Sequence, residues 1–453
     1  MKRKIIISLL ALSCYSSVIE TAPRLVAYYT NWAQWRKGKG KYVASQVAPI
    51  ISKLTDLNYA FAFFNYKGAE KLVTQDFKAY LLEFNDADMF KTLNALKAQS
   101  NPELNIFLSF GGWTFNDPGQ LTTTFFSQLV AGGPAPDGSG TKYNNFITSA
   151  FALCDQHNIQ GIDFDWENPA VPDRGGSAND YQNYLLFMDA LQIANTARLA
   201  AGKKKLLITA AVPAHAASGF TNGTYNHKNS MSGRVYKGTV STSQPQSYID
   251  WLSCLSTYFD WFNLMTYDYF GPWSQPTNEN APLFPLSHDA LCIQKSVQGF
   301  LTGMTKAAGL KLPEAQAKIV VGIPAYAKTF AGVAFPSKLP DQLYGPGCNF
   351  SGPGAPGEFT AQAGTLAYYE VLNNLSTKKY TGTQTNPITK TAYAWNQTSR
   401  DWASYDSVET VTIKGKWIAS QGLGGGMLYA LDYDDFNNQY PLTTSLSQAL
   451  GRK

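Results

Sequence analysis

The sequence is poor in charge. Lys, Arg, Asp and Glu make up 15% of its 453 residues, against 44% hydrophobic and 14% aromatic; soluble domains ordinarily carry about a quarter charged. The formal net charge is +5, and three of those positive charges belong to Lys2, Arg3 and Lys4, leaving +2 for the remainder. No basic footprint remains to follow a phosphate backbone, which argues against nucleic acid as a partner. Histidine is scarcer still. His157, His215, His227 and His288 are scattered, and no Cys or His spacing matches a zinc site. No metal or other cofactor is expected. Beyond Cys14 only Cys154, Cys254, Cys292 and Cys348 remain, a set that allows three pairings without choosing among them. Cys154 and Cys254 lie in helix-like stretches and read as buried thiols, and Cys292 with Cys348 is the one candidate bridge. Internal repeats and low-complexity linkers are absent as well.

Long hydrophobic runs are also missing except at the start. Lys2-Arg3-Lys4 precedes an apolar stretch from Ile5 to Leu12 and then small residues to Ser17. That order reads as a secretory signal over about residues 1–17, too short to anchor the chain in a bilayer. The expectation is a secreted protein, free of the membrane once the signal is removed, and monomeric. Low charge with many Trp and Tyr suits neutral, ring-shaped ligands.

What the chain does contain is one dense octet, Gly161-Ile162-Asp163-Phe164-Asp165-Trp166-Glu167-Asn168. Acids recur at every second position. On a strand they would share a face, with Ile162, Phe164 and Trp166 on the covered side. Carboxylates crowded this way must hold protons or accept hydrogen bonds, which equips them for proton transfer at a glycosidic or similar bond. Spacing alone also fits a hard-cation site.

Strand-like runs fall at residues 25–29, 57–63, 105–110, 161–165, 206–211, 261–266, 319–323 and 426–431, with helical patterns such as 146–156, 181–200 and 290–307 between them. Eight strands with crossover helices predict an α/β fold, a closed (β/α)₈ TIM barrel, with polar residues at the strand ends lining its active face. Roughly a hundred residues separate the last two strands, too many for a structureless loop. The segment 329–407 is expected to be a small inserted α+β lobe walling the barrel mouth, with 24–328 and 408–450 forming the barrel.

Several ordered motifs resemble the chitinases of glycoside hydrolase family 18. They are Tyr28-Tyr29-Thr30-Asn31-Trp32, Leu57-Asn58-Tyr59-Ala60-Phe61, Ser109-Phe110-Gly111-Gly112-Trp113, the octet itself, Met265-Thr266-Tyr267-Asp268, Gly322-Ile323-Pro324-Ala325-Tyr326, and Leu366-Ala367-Tyr368-Tyr369-Glu370 in the inserted lobe. The resemblance spans about Arg24 to Asn438. It implies a chitinase acting on chitin or chito-oligosaccharides by substrate-assisted, retaining hydrolysis. Glu167 would protonate the leaving oxygen and later activate water, while the substrate's acetamido carbonyl attacks to give an oxazolinium. Asp165 would hold the acetamido N–H, Asp163 would share a proton or hydrogen bond with Asp165, Tyr267 would bond the acetamido oxygen, and Asp268 would shape that pocket. Ser109 is a candidate to satisfy Asp163. The matching motif positions Tyr29, Phe61, Met265 and Tyr326 carry over as substrate contacts, with Trp113 and Trp273 on the leaving-group side and Trp32, Trp35 and Trp395 as further rim candidates.

Three positions depart from the family pattern. Gln160 stands where an Asp usually opens the catalytic motif. Tyr429 occupies the place of the eighth-strand Trp that floors the reactive sugar site, and Lys328 replaces an Arg near the seventh strand, losing the bidentate fork. The alternatives are a catalytically weak or inactive lectin-like relative, or an endo-β-N-acetylglucosaminidase. The retained Glu167 favours the enzyme.

Overall fold

A computed structural model describes residues 22–288, 290–336 and 346–452; the leader and Cys14 lie outside these. Eight parallel strands close on themselves: β1 (Arg24–Thr30), β2 (Asp56–Phe64), β3 (Asn105–Gly111), β4 (Gly161–Asp165), β5 (Leu207–Pro213), β6 (Trp261–Met265), β7 (Ile319–Pro324) and β8 (Gly425–Tyr429). Each pairs with its sequence neighbour, and β1 pairs with both β2 and β8 to complete the (β/α)₈ barrel. The helical patterns appear as α1 (Lys142–Gln156), α2 (Asp180–Ala200) and α3 (Ile293–Lys306). Thr141 caps α1 by accepting the Asn144 N–H, one of the donors every helix start leaves free.

Alternation sorts the strands into two layers. Outward residues such as Tyr29, Ile162 and Phe164 pack between the strands and their surrounding helices. Inward residues Val26, Tyr28, Phe107, Trp261, Val320 and Met427 fill the barrel interior. The barrel is therefore a solid support, open to chemistry only at its C-terminal rim. A hairpin of Gly223–Lys228 and Val235–Val240, unforeseen in the sequence, elaborates the connection after β5.

Between β7 and β8 the chain builds the lobe, a six-stranded sheet with the helix Tyr368–Ser376. Its first strand, Tyr326–Ala331, begins three residues ahead of the expected boundary. Tyr326 and Lys328 thus descend from the lobe onto the barrel mouth. Trp395 lies on the lobe strand Ala392–Asn396, packed beside the buried cluster of Phe330, Tyr393 and Trp402, so it is no part of the cleft rim. The four described cysteines are all free, which removes the candidate Cys292–Cys348 bridge. Among the described residues no helix is long and apolar enough to cross a membrane.

Lobe and barrel meet over a buried ion pair. The Lys414 ammonium donates to Asp406 Oδ1 at 2.5 Å, to its Oδ2 at 2.6 Å and to the Ala281 carbonyl at 2.6 Å, with both side chains fully buried. Glu279 lies beside them, and burial pushes its carboxyl up to about 7. Removing one partner strands the other's charge, at a cost of about 3–5 kcal/mol. Asp406→Ala is expected to lower the melting temperature by several degrees in calorimetry, and more than an Asp406→Leu, Lys414→Met double variant does. Equal losses in the two would remove the ion pair from the account.

Candidate active site

Asp163 occupies the barrel axis. Its Oδ2 accepts the Tyr28 hydroxyl at 2.8 Å and the Ser109 hydroxyl at 2.7 Å, and its Oδ1 accepts Thr209 Oγ1 at 2.7 Å and Asn263 Nδ2 at 3.3 Å. One carboxylate thus joins β1, β3, β5 and β6 to its own strand. Strand register explains part of this, because Ser109, Asp163 and Thr209 stand abreast. Asp165 stands two residues nearer the rim, beside Gly111 and Ala211. It is nearly fully buried, and among the described residues its Oδ1 has no hydrogen-bond partner. Burial raises both carboxyls, with the neighbouring Glu167 and Asp163 raising Asp165 further, whereas four donors draw Asp163 back. The two carboxyls thus differ: donors from four strands favour the charged form of Asp163, while burial and two neighbouring acids favour the protonated form of Asp165.

The strand ends at Asp165, so only Asp163 and Asp165 share a strand face. Glu167 reaches the mouth from the irregular segment beyond, half-buried, while Trp166 turns into the outer core against Phe126. Burial pushes the Glu167 carboxyl up to about 7; the Arg174 cation opposes this, and Asp268 and Asp117 reinforce it. The loop after β3 is held tightly against this segment: Gly112 N–H donates to the Asp165 carbonyl at 2.8 Å. Gly111 has φ +113°, and a Cβ there would lie 2.2 Å from that carbonyl oxygen, so no other residue fits.

Around the acid stand the other motif residues. Tyr267 and Tyr429 face each other with ring centroids 6.1 Å apart, and Tyr28, Tyr326 and Tyr433 complete a tyrosine-walled floor around Tyr429. Asp268, held at φ +58° by its backbone bond to Asn280, accepts Tyr326 OH at 2.7 Å and Lys328 Nζ at 3.1 Å. The Lys328 ammonium also lies 5.1 Å from the Trp273 ring. Trp113 and Trp273 are 57% and 62% exposed, unusual for large rings in a well-packed chain. Phe61 stacks on Trp32 at 5.7 Å, Met265 is half-buried at the end of β6, and Trp35 is exposed beside Phe84.

Two further expectations change. Tyr29 is fully buried in the outer layer, stacked on Tyr59 at 5.2 Å, and cannot touch a ligand in the cleft. Alternation assigns the inward place to Tyr28. Gln160 precedes β4 at the opposite end of the barrel, where it accepts Lys97 Nζ at 2.7 Å and Ile106 N–H at 3.1 Å. It is five strand residues below Asp165, roughly 16 Å, so its missing charge has no direct route to the acid. Thr209, Asn263 and Arg174 carry no motif signal of their own; Thr209 could have been found by extending alternation along β5.

Among the described residues no group of three or more His, Cys, Asp and Glu is arranged to hold a metal ion, and the lone pairs of Asp163 are already engaged by protein donors. The chemistry on offer is a carboxyl raised toward neutrality above a pair of buried acids, flanked by flat exposed rings.

The model of glycosyl hydrolases family 18 matches residues 24–434. Mouse chitotriosidase-1 is 28% identical over 95% of this chain and 78% of its own length. The Group IV chitinase of Ostrinia furnacalis, solved with allosamidin, superposes with a TM-score of 0.72 at 26% identity, covering 95% of this chain and 99% of that one. Human YKL-39, described as a pseudo-chitinase with retained chitooligosaccharide binding, superposes at 0.71 with 25% identity, covering 95% and 100%.

Proposed function

Since the chain belongs to glycosyl hydrolases family 18, we propose that it is a chitinase, hydrolysing β-1,4-linked N-acetylglucosamine chains with retention of configuration. The observation that carries this reading is Glu167: a half-buried carboxyl at the barrel mouth, pushed up to about 7, above the buried acids Asp163 and Asp165. At neutral pH a substantial fraction of Glu167 holds its proton and donates it to the leaving glycosidic oxygen. The substrate's acetamido oxygen closes on the anomeric carbon, the glycosidic bond breaks, and an oxazolinium forms. Tyr267 orients that acetamido group, and the buried acids Asp165 and Asp163 offset the developing cation. Glu167, now ionised, takes a proton from water as it opens the ring. Trp113 and Trp273 supply flat faces for sugar rings on the leaving-group side.

The test is incubation of the wild type with soluble chito-oligosaccharides, reading product length by mass spectrometry and the first-formed anomer by NMR. Shorter products released as the β-anomer are expected. Binding without cleavage would instead make the chain a lectin-like relative, and neither would overturn the substrate class. The leader supports export, to be read by N-terminal sequencing of protein recovered from the medium.

A further inference from the structure

We propose that Arg174 is a positioning residue that locks the acid-bearing segment to the aromatic platform of Trp113, so that acid and leaving-group sugar are held as one rigid unit. This rests on the hydrolytic reading above. Arg174 is 8% exposed. Its Nε donates to the Glu167 backbone carbonyl, its Nη2 to the Trp113 carbonyl at 2.5 Å and its Nη1 to Asp117 Oδ1 at 3.0 Å. The guanidinium carbon also lies 3.6 Å from the centre of the Trp113 ring. One planar cation therefore grips the main chain beside the acid and covers one face of the indole, leaving the other face as its exposed part. Only a guanidinium has donors enough, and the flat shape, to do both.

The turn that presents Arg174 is itself immobilised. Gly175, at φ +77°, packs so closely that a Cβ would lie 2.2 Å from the Thr123 carbonyl oxygen. Buried Asp180 accepts Ala170 N–H at 2.9 Å and Ser177 N–H at 2.8 Å, fixing both flanks. Two loops, after β3 and after β4, are thus pinned together at one side chain and the turn that carries it. Its charge acts on Glu167 as well: Arg174 is the cation that draws the acid's proton affinity down, against burial and the anions of Asp268 and Asp117.

A passive structural role and a positioning role predict different kinetics. The experiment compares full-length Arg174→Ala, Arg174→Lys, Trp113→Ala and the Arg174→Ala, Trp113→Ala pair on soluble chito-oligosaccharides across pH. Arg174→Ala is expected to lower kcat roughly 10- to 100-fold, as small misplacements of reacting groups do. It should also move the alkaline limb of the rate profile to higher pH, because the opposing cation is gone. Arg174→Lys keeps the charge, so its limb stays near the wild-type position while much of the kcat loss remains. Trp113→Ala should act mainly on KM, and the paired variant should lose less than the two single losses combined. An unmoved limb in Arg174→Ala, with kcat and KM within about twofold of wild type, overturns the proposal, as does strict additivity with Trp113→Ala. If Arg174→Ala does not fold, Arg174→Lys decides: wild-type kcat from it overturns the proposal. A wild type that cleaves nothing overturns the hydrolytic reading instead, and it does so without any variant.

Discussion

Glu167→Gln is expected to lower kcat on chito-oligosaccharides by roughly 10²- to 10⁴-fold, the worth of a positioned general acid, with KM changed little. The amide keeps the shape of the side chain and removes the transferable proton. Nothing else in the fold should notice: among the described residues the Glu167 carboxyl has no side-chain hydrogen-bond partner, and the grip of Arg174 is on the backbone carbonyl. The wild type should show the complementary pH dependence. The carboxyl is pushed up to about 7, so the proton-bearing form dominates below that pH and drains away above it. The rate should therefore decline along an alkaline limb centred near there. A Gln variant retaining even a tenth of wild-type turnover would remove Glu167 from the role.

Asp165→Ala is the second large effect, a kcat loss of roughly 10²- to 10³-fold, comparable with deleting one preorganised electrostatic partner of a transition state. The expected selectivity is as informative as the size. Among the described residues Asp165 Oδ1 has no partner, so its removal leaves no donor stranded, and the melting temperature should stay within a few degrees. Asp163→Ala should behave in the opposite way. It would orphan the hydroxyls of Tyr28, Ser109 and Thr209 and the Asn263 amide inside the barrel, each at about 1–3 kcal/mol. Thermal denaturation of the two variants side by side separates the roles. An Asp165→Ala protein as damaged in stability as Asp163→Ala would mean that the acid pair is structural throughout.

Much of this was legible in the sequence because barrel strands are buried on both faces and so advertise themselves as short apolar runs. All eight were located to within a few residues. The lobe was visible as an interval too long to be a loop. The errors arose where the signal has a period or range shorter than the effect. Alternation along β1 puts one of two adjacent tyrosines in the cleft, and a motif match naming Tyr29 missed by a single residue, which reverses the face. The same alternation overran β4: it holds for Asp163 and Asp165 and fails at Glu167, because the strand has ended. Gln160 looked like part of the acid's surroundings, being near in sequence, although an extended chain carries it to the far end of the barrel. Arg174 had no signal at all. A lone arginine in a Pro- and Gly-containing turn is ordinary, and its importance exists only once the loops after β3 and β4 meet around it.

The Asp163 knot also sets how such a protein can change. A residue that ties four strands to its own cannot drift without loosening the barrel, whereas among the described residues the Glu167 carboxyl at the rim holds no side-chain hydrogen bond. A single exchange at Glu167 is therefore expected to leave the cleft and its exposed rings in place. On the proposed reading, the cleft comes with the fold, and the proton donor is the part that one substitution removes.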